Sequence, residues 1–166
     1  AGLHFTKSQL KEIEQRGVGI AHITLDIGLG TFAPIRIEEI KNHVMHSERV
    51  SVDKEAADKI NSVFNSDSRV IAVGTTVLRC LESVFAKFNK MKPYEGETDL
   101  FIYPGYKFGI VDSLLTNFHL PKSSLFLLVC AFGGTQDLKS AYKHAIEQNY
   151  KFFSYGDAML INKCDG

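Results

Sequence analysis

The stretch VIAVGTT at 70–76 limits the possible folds of this chain more than any other. Four consecutive apolar residues, three of them β-branched, read as a short strand of the buried, parallel kind. Gly74 breaks it, and from Thr75 the apolar positions Leu78, Leu81, Val84, Phe85 and Phe88 recur at helical spacing. Backbone N–H groups at such a helix start, with the Thr75 and Thr76 hydroxyls beside them, form a corner suited to an anion or a ribose. Arg79, one turn on, can add a bidentate clamp for a carboxylate or phosphate. A tight turn with an ordinary threonine cap accounts for the same residues.

The flanking patterns extend this unit. Thr6-Lys7-Ser8-Gln9 has the form of a capping box opening a helix over 6–16 that buries Leu10 and Ile13 and ends at Gly17. Residues 20–27 alternate, with Ala21, Ile23, Leu25 and Ile27 on one side, as a half-buried strand does. Asp53 is an N-cap for a helix over 53–65 with Ala56, Ala57, Ile60, Val63 and Phe64 inward. Further strands are expected over 100–103 and 108–111, with 89–98 as a looser segment between helix and strand. The apolar run 125–132 lies between Pro121 and Gly133-Gly134 and reads as a buried helix. A last helix over 136–148 places Leu138, Ala141, Tyr142, Ala145 and Ile146 inward. Strands alternating with helices imply an α/β fold, a mostly parallel or mixed sheet with flanking helices, in a single domain over 1–166.

Composition excludes several classes. The chain has 166 residues, 45% apolar and 23% charged, enough for an ordinary core and too apolar for disorder. Nineteen basic residues balance nineteen acidic ones, so any RNA contact comes from a local patch or from parts of a larger protein. The run 125–132 is less than half the ~20 residues of a membrane span, and no basic-then-apolar leader opens the chain, so a soluble protein without a membrane partner is expected. Three cysteines, Cys80, Cys130 and Cys164, are odd in number and widely spaced. That argues against a disulfide framework or thiolate zinc site and for a reducing cytoplasm. The start at Ala1, directly on AGLHFT, leads us to expect a piece of a longer protein.

Other motifs carry chemistry more weakly. Residues 28–33, GLGTFA, match G-x-G-x-x-A after a strand, but Pro34 interrupts helical continuity, and Gly28 and Gly30 equally let backbone approach a ligand or form a bend. His43, His46 and Glu48 form H-x-x-H-x-E, yet no periodicity puts them on a rigid element. We assign no metal and retain His46 with Glu48 as an acid/base or orienting pair. TNFHLP at 116–121 is a polar-aromatic loop in which Asn117 and His119 donate and accept and Phe118 can stack on a base. Phe152, Phe153 and Tyr155 suit either base stacking or the core. Lys139, Lys143, His144 and Lys151 form a weak basic face on the last helix. The chain has no P-loop, H-E-x-x-H or G-x-S-x-G string.

Seven strings then occur in order: AGLHFT (1–6), GLGTFAPI (28–35), MHSE (45–48), VIAVGTT (70–76), TDLFIYPGYKF (98–108), TNFHLPKS (116–123) and FFSYGDAMLI (152–161). Together they resemble the S-adenosylmethionine:tRNA ribosyltransferase-isomerase family of queuosine biosynthesis. The chain departs from the family pattern at Asp26, at Arg49-Val50 and at Val77-Leu78. The resemblance implies members about twice this long, with an N-terminal portion and an inserted β-barrel ahead of AGLHF. This chain would then match the C-terminal half of the large domain, lack the barrel, and show little activity alone.

The activity implied is transfer and isomerisation of the ribosyl group of S-adenosylmethionine. The acceptor is the aminomethyl-deazaguanine wobble base of tRNA, and the products are epoxyqueuosine-tRNA, adenine and methionine. S-adenosylmethionine is a cosubstrate, and no cofactor is implied. On the matched strings, His4, His46 and His119 are candidates for proton transfer, and Glu48 or Asp99 for orienting one of them or holding the substrate amine. Gly74, Thr75, Thr76 and Arg79 would seat the cosubstrate's ribose or carboxylate. Phe32, Phe101, Tyr103 and Phe118 would stack on adenine or deazaguanine. Gly28, Gly30, Thr31 and Asn117 complete the expected cosubstrate surface. A non-catalytic nucleotide- or RNA-binding module and an S-adenosylmethionine-dependent methyltransferase are the alternatives, and oligomeric state is open.

Overall fold

The computed structural model describes residues 2–26, 28, 40 and 45–164. A 3-10 turn, Gly2–His4, precedes α1 (Lys7–Gln15). Thr6 and Gln9 form the expected reciprocal capping box, although α1 is only half-buried at Leu10 and Ile13. Strand β1 (Thr24–Asp26) is shorter than the alternation suggested; it pairs antiparallel with β2 (Glu48–Val52) through Leu25 opposite Val50. Asp53 caps α2 (Lys54–Asn61) by accepting from the Ala56 N–H at 2.7 Å, and the helix tightens into a 3-10 segment, Ser62–Asn65.

Strand β3 (Ile71–Val73) feeds α3 (Thr75–Phe88), as the strand-turn-helix reading requires. The next two elements differ from expectation. Residues 94–98, read as a loose connection, form β4 (Tyr94–Thr98), antiparallel to β2. Residues 100–103 and 108–111, read as strands, lie in none. Instead the buried Glu82 carboxylate accepts from the Gly109, Ile110 and Val111 N–H groups at 2.8–3.1 Å, using the donors a ladder would need. The strand begins two residues later, as β5 (Ser113–Asn117), which the loop reading of 116–121 overlapped.

Helix α4 (Ser124–Gly133) is the expected buried helix, capped by Ser123. Gly134, at φ +85°, turns the chain sharply into α5 (Thr135–Glu147). Helix α5 buries Leu138, Tyr142 and Ala145, a narrower stripe than expected; Ala141 is exposed and Ile146 is 65% exposed. Strand β6 (Ala158–Asn162), in a stretch to which no element was assigned, closes the order.

The architecture is mixed α/β, with two three-stranded sheets, β1-β2-β4 and β3-β5-β6, among the described residues. Among the described residues only β3 and β5 run parallel, with Val73 opposite Leu115; β5 and β6 are antiparallel, with Leu114 opposite Ile161. One face of the second sheet presents Ala72, Leu114 and Ile161 to the core. The other carries Ile71 and Leu160, which are 49% and 62% exposed. Helix α3 packs against strands of both sheets and α4 packs against α3, α5 and β6, so the core is continuous from Val50 to Phe132. No described helix is long and apolar enough to cross a membrane.

Candidate active site

The carboxyl ends of the parallel strands β3 and β5 lie side by side, and beyond them opens a cavity of about 350 Å³, a size usual for small-molecule sites. On one wall, Gly74 stands at φ +98°, which a Cβ would strain; its N–H donates to Leu115 O at 2.8 Å, tying the two strand ends together. It starts α3 with no side-chain cap, and Thr75 and Thr76 follow on the wall. The partial positive charge of the first helical amides therefore borders the space, a setting for an anionic group.

Thr116, Asn117, Phe118 and His119 supply the facing wall. The Thr116 Oγ1 lies 3.1 Å from His119 Nε2, and the His119 N–H donates to the Tyr142 hydroxyl at 2.9 Å. Burial pushes the His119 imidazole down to about 4, so the ring is neutral at neutral pH and offers one donor and one acceptor. Burial also pushes the Tyr142 hydroxyl up to about 12. His4 from the amino-terminal 3-10 turn reaches the same cavity, and burial lowers its pKa too. Leu3, Leu120, Leu125 and Phe153, with Phe118, make the apolar part of the lining.

Two expected ligand contacts are engaged with the protein itself. The Asn117 amide donates to the carbonyls of Gly156 and Asp157 at 3.3 and 3.2 Å, fastening the end of β5 to the turn before β6. The Phe118 ring is buried among Tyr142, Tyr150 and Phe152 at centroid distances of 5.3–5.7 Å. Phe153, which sequence reasoning left between core and stacking roles, lines the cavity at φ +70° and 59% exposure. Ser123 and Ser154 line it as well; their only sequence signal was membership of the matched strings.

The remaining candidates lie elsewhere. Glu48 on β2 and Arg79 on α3 form a fully buried ion pair at 2.9 Å, with Arg79 Nε also donating to Leu100 O. Burial lowers the Arg79 guanidinium pKa, while Glu48 and Asp99 oppose the shift. This pair joins the β1-β2-β4 sheet to α3, one turn along the helix from the cavity. His46 and Asp99 are exposed; Phe101 and Tyr103 pack on each other at 5.3 Å, and none of the four is among the described cavity residues. Gly28 is exposed, whereas Gly30, Thr31, Phe32 and His43 lie outside the described residues. Among the described residues no cluster of three or more His, Cys, Asp or Glu is arranged to hold a metal.

The chain is similar to known proteins along almost its whole length. The family model described as "Queuosine biosynthesis protein" matches residues 1–161. A protein of Coxiella burnetii (strain RSA 331 / Henzerling II) named S-adenosylmethionine:tRNA ribosyltransferase-isomerase is 52% identical over 98% of this chain and 47% of its own length. A protein of the same name from Psychrobacter sp. (strain PRwf-1) is 48% identical over 98% of this chain and 43% of its own. The crystal structure of S-adenosylmethionine tRNA ribosyltransferase from Thermotoga maritima superposes with a TM-score of 0.80 at 41% identity, over 96% of this chain and 50% of that one. The chain thus spans about half the length of these relatives. With a family model over 1–161 and a matching fold, it belongs to the queuosine biosynthesis protein family.

Proposed function

We propose that this chain forms the cosubstrate end of an S-adenosylmethionine:tRNA ribosyltransferase-isomerase acting on tRNA with an aminomethyl-deazaguanine wobble base. The observation that carries the reading is the meeting of residues from AGLHFT, VIAVGTT and TNFHLPKS in one cavity. Three cysteines, all free thiols, suit a cytoplasmic setting with tRNA.

The sulfonium of the cosubstrate acidifies the ribose carbon bonded to sulfur. Removal of that proton lets the sugar open and expel adenine; the base's amine then attacks, and an epoxide closes as methionine leaves. The uncapped amides at Thr75 and Thr76 seat the methionine carboxylate. Leu3, Leu125 and Phe153 cover the adenine. A neutral His119 adds no positive charge beside the sulfonium. Because its pKa is held low, it passes on the proton it takes, and the departing adenine is the natural recipient. His4 stands as the second imidazole. His46, Glu48 and Arg79 are outside this assignment, the last two because they neutralise each other in the core.

The test replaces the matching segment of the Coxiella burnetii relative with this chain and supplies S-adenosylmethionine and the wobble-base tRNA. Equimolar adenine and methionine, with epoxyqueuosine in the tRNA by mass spectrometry, is the expected result. S-adenosylhomocysteine as by-product would instead identify a methyltransferase, and cosubstrate affinity without adenine release a binding module. His119→Ala in this chimera is expected to slow single-turnover product formation by at least about 100-fold. An unchanged rate removes His119 from the chemistry.

A further inference from the structure

A second recess, of about 430 Å³, lies along α5. We propose that it is a nucleotide subsite for single-stranded RNA, taking one base against the partly exposed Phe126 and Phe152, braced by the buried Tyr142, with the adjoining phosphate between Lys139 and Lys143; this rests on the reading of the cavity as the site of chemistry on tRNA. The three rings are fixed against one another. Tyr142 is edge-on to Phe126 at 4.9 Å and to Phe152 at 5.8 Å, which gives a rigid aromatic surface of the kind bases stack on whatever their sequence. Lys139 and Lys143 are four residues apart on one helix and therefore neighbours on its surface. Among the described residues Lys139 has no ion-pair partner; Lys143 faces Glu147, the one acid in the lining, across 3.9 Å with both side chains exposed. Such a loose pair yields readily to a phosphate. In a chain of zero net charge, this local pair of cations in one lining with aromatic rings is what favours a polyanion with bases over an apolar peptide.

Position ties the recess to the cavity. Leu120, Leu125 and Phe153 line the cavity, and their immediate neighbours Pro121, Phe126 and Phe152 line the recess. The Tyr142 hydroxyl accepts from the His119 N–H across the same partition. Three pairs of chain neighbours thus line the two spaces, one residue of each pair in either. A strand that presents one base to the cavity therefore lays an adjacent nucleotide on α5.

The experiment uses the full 166-residue chain and a fluorescein-labelled 17-nucleotide RNA hairpin with a seven-nucleotide unpaired loop, read by anisotropy at low salt. Lys139→Glu with Lys143→Glu is expected to raise the hairpin Kd at least 10-fold and flatten the log Kd against log salt slope by about 0.7, one phosphate contact on a single strand. The control pair Lys54→Glu with Lys90→Glu, the same charge change on other surfaces, is expected to leave Kd within threefold. The chain has no tryptophan, so Ile146→Trp places a lone indole at the edge of the recess; the hairpin is expected to quench it and a fully paired duplex of the same strand is not. An undetectable hairpin complex, equal loss in both charge-reversed pairs, equal binding of hairpin and duplex, an unquenched indole, or self-association abolished by the lysine changes would each overturn the proposal. Calorimetric affinity for S-adenosylmethionine is expected to be the same with and without the lysine changes. Cosubstrate binding with lysine-insensitive RNA binding defeats the subsite and spares the cavity reading. Lysine-dependent RNA binding with no adenine release in the chimera does the reverse.

Discussion

His119 shows how burial selects a chemical state. In the unfolded chain its imidazole takes up a proton near pH 6.5; in the folded chain it does so only near 4. Between those values the unfolded state binds more protons, so stability falls as pH drops through this window. Urea titrations at steps from pH 7 to pH 4 are expected to show a loss approaching roughly 3 kcal/mol that His119→Gln does not share. Phe153 makes the opposite bargain, holding a bulky side chain in left-handed backbone while much of the ring faces water. Glycine adopts this conformation freely, whereas alanine is strained there by about 1 kcal/mol. Phe153→Gly is therefore expected to be more stable than Phe153→Ala by thermal melts, while both weaken S-adenosylmethionine binding to the same degree. Equal melting of the two would mean that the strain is not felt.

At the scale of elements, strand β6 separates its faces residue by residue. Ile161 is 8% exposed against α4, while Leu160 lies on the open face. Chemical denaturation is expected to give a loss of about 2–4 kcal/mol for Ile161→Ala and under about 0.5 for Leu160→Ala. A reversed order would put the register of β5 on β6 off by one. Elements governed by local chemistry were legible in the sequence: the Thr6 box, the Asp53 cap and the helix after Gly74 all follow from neighbours within four residues. Strand β4 was not, because Tyr-Glu-Gly-Glu-Thr is polar and becomes a strand only through its pairing with β2. The apolar stretch at 108–111 misled for the converse reason, since Glu82, 27 residues away at Gly109, claims its amides. Four of the seven strings meet at the cavity, whereas MHSE and TDLFIYPGYKF do not reach it. That Phe118 turns inward and Arg79 toward Glu48 was not legible, since both depend on elements distant in sequence.

The whole molecule depends on the joint between its two sheets. Glu48 of one sheet and Arg79 of the helix that backs both are paired out of water. Breaking such a pair from one side typically costs 3–5 kcal/mol, because a charge is stranded in the core. Glu48→Gln is expected to lower stability by about 3 kcal/mol. In amide hydrogen exchange, the β1-β2-β4 sheet should then open before β3-β5-β6. Uniform loss across both sheets would show that the pair adds stability without joining two units.

Helix α3 carries the Thr75 and Thr76 amides at its first turn, the Arg79 clamp at its second and the Glu82 anchor at its third. A stiff rod fastened twice along its length cannot swing freely at the tip. Any tilt of the β2 layer is thus delivered, as through a lever, to the amides at the mouth, and a tug on that layer would be felt by whatever anion rests there.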